Sequence, residues 1–60
     1  MSAVERAVRR LVCAQLRAKR AEFEARARGE ENETKKLIYE TYVDVISELE
    51  KDMGCEEWQA

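Results

Sequence analysis

Apolar residues recur along this chain at intervals of three, four and seven, the spacing that lays side chains on one stripe of an α-helix. In the first half one seam runs Val4, Leu11, Ala18, Ala25 and the adjacent one Ala7, Ala14, Ala21, with Val8 and Val12 widening the face near the amino end. In the second half the seams are Tyr42, Leu49 and Ile38, Val45, flanked by Tyr39, Ile46 and Met53. The stops between them are equally plain. Ser2 suits an N-cap, with Glu5 three residues on as its capping-box partner. Gly29 is placed for the left-handed position that ends many helices, Asn32 for the next N-cap, and Gly54 for the second helix stop.

The pattern predicts one domain over residues 1–60: a helix over about 2–28, a turn over about 29–32, a helix over about 32–53 and a tail over 54–60 that contains Trp58. A connection this short makes neighbouring helices antiparallel. The expected fold is all-α, an antiparallel helical hairpin. Folding at the turn sets Ala18 level with Tyr42, Ala14 with Ile46, Ala21 with Tyr39, Ala7 with Met53 and Leu11 with Leu49. Small residues on one helix would then meet large ones on the other, the filling that a close-packed core requires. The candidate hairpin and dimer core is therefore Val4, Ala7, Leu11, Ala14, Ala18, Ala21, Ile38, Tyr39, Tyr42, Val45, Ile46, Leu49 and Met53. A hairpin of 60 residues has one shared face and little interior, and the apolar arc of the second helix is wider than one neighbour covers. A homodimer forming an antiparallel four-helix bundle is the expected completion.

Composition narrows the class. There is no Pro, and Ala, Arg and Glu, all good helix formers, are abundant. No apolar run approaches the ~20 residues that cross a bilayer, and no secretory signal follows the first residue. The first twenty residues are amphipathic and Arg-rich like a transit peptide, but their heptad pattern continues to Ala25, which favours a structural reading. His is absent and the two cysteines, Cys13 and Cys55, are far apart, so no Cys/His metal set exists. The reading is a cytoplasmic protein with free thiols. At the register above, Cys55 is level with Glu5, too far from Cys13 to bridge. Cys13 among arginines is then either an inert thiol or a redox sensor.

Charge divides the chain. Residues 1–28 carry eight basic and three acidic side chains, net +5, and residues 30–60 carry three basic and ten acidic, net −7. Arg6, Arg9, Arg10, Arg17 and Arg20 cluster opposite the apolar seam. They form a solvated outer face, a track for phosphates, or a docking surface for an acidic protein. The acidic face of Glu33, Glu40, Asp44 and Glu48 is solvated or ion-paired, or mimics nucleic-acid charge. Leu16, Phe23, Leu37, Val43 and Trp58 lie at or beyond the margins of the seams. The first two are candidates for a second interface, and Leu37, Val43 and Trp58 join the arginines as candidate partner-binding residues.

No phosphate loop, nucleophile–base pair, paired buried carboxylates or cofactor signature is present, so neither an enzyme nor a cofactor is expected. The expected function is a small interaction protein of the kind common among bacterial and phage regulators. It would partner itself and another protein, which it modulates or inhibits by occlusion; no membrane is involved. An RNA- or DNA-binding regulator using the Arg stripe is the alternative, and a structural subunit of a larger assembly a further one. In length, hairpin form and small–large layering the chain resembles the Rop family of plasmid copy-number proteins, helical hairpins that dimerise into four-helix bundles and bind RNA. That likeness implies a bundle dimer and RNA as a partner; no residue motif is shared, so it assigns no positions.

Overall fold

The computed structural model describes residues 2–58, with side chains to residue 56. Two long helices form a hairpin, α1 over Ala3–Gly29 and α2 over Glu33–Asp52, and a single-turn α3 follows over Cys55–Trp58. The molecule is a rod of 45 × 16 × 15 Å. No strand occurs among the described residues.

The caps explain where the helices begin. Ser2 is extended, and its hydroxyl accepts from the Glu5 N–H at 3.1 Å. Asn32 does the same for α2, its side-chain oxygen accepting from the Lys35 N–H at 3.1 Å. Each supplies an acceptor to a donor that the first helical turn leaves unpaired. The stops differ from each other. Gly54 adopts φ 66°, the left-handed conformation expected of it, and turns the chain from α2 into α3. Gly29 does not: it is the last residue of α1, and the helix is closed by extended Glu30, whose N–H reaches the Ala27 carbonyl at 3.4 Å. The turn is therefore only Glu30–Asn32, and the stretch expected to be a tail contains a helical turn.

The largest departure from expectation is which faces meet. On the face that meets α2, α1 places Arg9, Cys13, Leu16, Arg20, Phe23 and Ala27, all buried or half-buried, with half-buried Glu22 and Glu24 at its margins. On the facing side α2 places Lys36, Tyr39, Val43, Ile46 and Glu50, followed by its half-buried C-cap Met53. Both sets follow the three-four spacing of a heptad seam, but they are not the most apolar seams. Val4, Ala7, Leu11, Ala14, Ala18, Ala21 and Ala25 are all exposed, as are Ile38, Tyr42, Val45 and Leu49. The expected layers Ala18–Tyr42, Ala14–Ile46 and Leu11–Leu49 are thus not made inside the hairpin. Of the expected core only Ile46 is buried, with Tyr39 and Met53 half-buried. The physical reason is register and rotation. Phe23 stacks on Tyr39 and Tyr42 at centroid distances of 6.0 and 5.0 Å, and Arg20 meets Glu50. These contacts turn the alanine seam of α1 away from α2.

Register also leaves α1 with an overhang. Cys13 lies beside Cys55, the first residue of α3, and α1 runs on toward its amino end past that level. Residues 3–12 continue for about three turns, or ~15 Å, past that level. Every one of them is exposed except half-buried Arg9.

These conformations make the two glycines respond oppositely to alanine. A Cβ on Gly29 would meet nothing within 4 Å, and its backbone is helical. Gly29→Ala is expected to stabilise the fold by about 0.5–1 kcal/mol, whereas Gly54→Ala, at a left-handed position, should destabilise it by about 1 kcal/mol. Thermal melts of the two variants check this; a loss of stability in Gly29→Ala would restore Gly29 as the helix stop.

Candidate functional site

The hairpin has two unlike sides and one covalent tie between its helices. The tie is a Cys13–Cys55 disulfide, with Cα atoms 5.5 Å apart. It overturns the expectation of free thiols: both cysteines are buried, at 2% and 0% exposure, so neither is a surface sensor. A chain running straight on from α2 would set Cys55 level with Glu5. Gly54 bends the chain back, and α3 opens by delivering Cys55 onto α1.

One layer nearer the turn, Arg20 and Glu50 face each other across the seam. Arg20 Nε lies 3.4 Å from Glu50 Oε1 and 3.7 Å from Glu24 Oε1. Glu50 is 7% exposed, and its Oε1 makes no hydrogen bond within the described residues. The contact with Arg20 is therefore Coulombic without hydrogen-bond alignment. A buried carboxylate needs such a counter-charge, and a pair made without hydrogen-bond alignment adds little net stability.

One side of the hairpin carries the apolar stripe of α2. Phe23 stands at the edge of the contact face and stacks on Tyr42, so the outward stripe of α2, Ile38, Tyr42, Val45 and Leu49, continues the hairpin's aromatic layer. Val45 is 52% exposed and Ile38, Tyr42 and Leu49 between 45% and 49%. Alongside the stripe α1 is polar: Glu22 accepts from Lys19 at 3.2 Å and from Arg26 at 2.8 Å, and the Arg26 guanidinium lies 5.5 Å from the Phe23 ring centre. In the overhang the apolar arc returns as Val4, Val8, Leu11 and Val12, with Val4 72% exposed.

The other side is charged. Glu24, Ala27, Arg28, Glu40, Val43 and Asp44 line one shallow groove there, and Glu33, Thr34, Lys36, Leu37 and Glu40 another. The candidate partner-binding residues fall in different places. Arg6, Arg10 and Arg17 are exposed and make no ion pair among the described residues. Arg20 is committed to the seam, and Arg9 is half-buried with a partner of its own. Leu37 is exposed within a polar surround, while Val43 is half-buried in the seam. The Trp58 side chain lies outside the described residues. Leu16 and Phe23, set at the margin by sequence, belong to the hairpin's own seam.

Among the described residues no group of three His, Cys, Asp or Glu could hold a metal ion, and no helix is long and apolar enough to cross a membrane. Compared with protein-family models, with curated proteins and with solved structures, the chain matches none.

Joining positions 42 residues apart in sequence restricts the unfolded chain by about 4 kcal/mol in the chain-entropy account. At fixed protein concentration, a Cys13→Ser, Cys55→Ser double variant is expected to melt roughly 20 °C lower than the oxidised chain. Equal melting temperatures would mean that the tie does not constrain the fold.

Proposed function

We propose that this chain is a non-catalytic interaction module: two copies pair through their apolar sides into a four-helix bundle, and the bundle binds and modulates another protein. The observation that carries the reading is the outward stripe, four large apolar side chains on α2 that the hairpin leaves about half exposed. Contiguous apolar surface of this kind marks an interaction site, and a second identical stripe satisfies it symmetrically.

The partner surface is the α1 overhang. Val4, Val8 and Leu11 offer exposed anchors there, and Arg6 and Arg10 are exposed on the other face of the same helix. Apolar anchors provide affinity while exposed charges set orientation and association rate. The complement is an apolar groove rimmed with acidic residues on a protein, which the module would occlude. The unpaired arginines also support a second reading, an RNA or DNA regulator in which Arg6, Arg10 and Arg17 follow phosphates. A cytoplasmic setting would hold Cys13 and Cys55 reduced and release the open end of the hairpin, whereas an oxidising compartment keeps it tied.

Sedimentation equilibrium at micromolar concentration is expected to give a dimer for the native chain and a folded monomer for Val45→Glu. A native monomer contradicts the reading. For the partner, capture on immobilised chain from nuclease-treated lysate should retain a protein, and Val8→Glu should lose it. Nuclease-sensitive binding that weakens steeply with salt and with Arg10→Glu would replace this assignment with the nucleic-acid reading.

A further inference from the structure

The α2 stripe carries its own instructions for how two copies meet. Extending Ile38, Tyr42, Val45 and Leu49 by one heptad step in each direction reaches Lys35 at the amino end and Asp52 at the carboxyl end. Both are exposed, and neither makes an ion pair among the described residues. The seam therefore reads cation, four apolar residues, anion. We propose that α2 pairs with α2 of a second copy in antiparallel orientation, about a two-fold axis passing between Tyr42 and Val45; this rests on the homodimer reading and adds its register and direction.

Three arrangements compete, and charge separates them. In the antiparallel pair Ile38 faces Leu49 of the second copy, Tyr42 faces Val45, and Lys35 faces Asp52, each contact occurring twice by symmetry. A parallel pair sets Lys35 on Lys35 and Asp52 on Asp52, like charges at both ends of an apolar seam. Placing the stripe on α1 of the second copy would bury it against Lys19, Glu22 and Arg26, whose side chains are 61%, 39% and 52% exposed and already joined to one another. Removing that network from water costs more than its pairing returns, even though basic α1 and acidic α2 attract at long range. The alanine seam of α1 is a further exposed apolar surface, but of these three arrangements only the antiparallel α2 pair matches apolar with apolar and opposite charge with opposite charge. It places the two Glu30–Asn32 turns at opposite ends of the bundle and points the α1 overhangs away from each other.

A charge exchange tests this. Lys35→Glu and Asp52→Lys each place like charges at both ends of the antiparallel seam, and each is expected to weaken dimerisation about tenfold at low salt. Both changes favour the helix dipole, an acid in the first turn and a base in the last, so weaker association would not arise from a damaged hairpin; circular dichroism of each variant verifies this. The double variant Lys35→Glu with Asp52→Lys recreates two opposite-charge contacts and should recover native affinity, measured by sedimentation equilibrium. Weakening followed by recovery supports the antiparallel register. A native dimer with no weakening, or with no recovery in the double variant, overturns that register while leaving the dimer itself standing. A native chain that stays monomeric at every concentration overturns both.

Discussion

The rotation of α1 against α2 governs every other property of this molecule. It is held at three levels along the seam: the Phe23–Tyr42 stack near the turn, the Arg20–Glu50 ion pair in the middle, and the Cys13–Cys55 bond at the open end. With these three contacts in place the alanine seam of α1 and the Ile38–Leu49 stripe of α2 must point outward. A different rotation would bury the stripes against each other and expose the Glu50 carboxylate. The specificity of the rotation resides in the polar and covalent contacts, and the most apolar seams stay exposed. Hydrophobic attraction is non-directional, so it favours either rotation; an ion pair inside a seam and a disulfide do not.

The elements were legible in the sequence because local chemistry determines them. Asn32 caps α2 for the reason its side chain suggests, and Gly54 takes the left-handed conformation that only glycine adopts cheaply. Gly29 misled because a glycine near a helix end is compatible with that conformation without requiring it. The short turn that follows then shifted the register of everything beyond.

Which face packs on which was less legible, for a physical reason. Each helix carries two heptad seams, and the more apolar one was assigned to the hairpin. The seam that does meet carries charge on both helices, Arg9 and Arg20 on α1 and Lys36 and Glu50 on α2, and the facing pair Arg20 and Glu50 in isolation look like solvated positions. Their opposite signs at matching layers, with a cysteine near the far end of each seam, are a signal that a paired reading of both helices could have found. Single-helix periodicity could not, since it measures how apolar a stripe is and never what lies against it. Among the candidate partner residues the same limit applies. Arg20 and Val43 read as surface positions and lie in the seam, whereas Val4 and Leu11 read as core and project from an overhang that only the tertiary register reveals.

The most direct measurement is a set of intramolecular nuclear Overhauser effects, filtered with mixed labelled and unlabelled chains so that contacts between copies are removed. The account predicts cross-peaks within one chain from the Phe23 ring to the rings of Tyr39 and Tyr42, and none from the Ala14 or Ala18 methyls to α2. Intramolecular cross-peaks joining Ala18 to Tyr42 and Ala14 to Ile46 would contradict it, because they would show the apolar stripes already spent on each other.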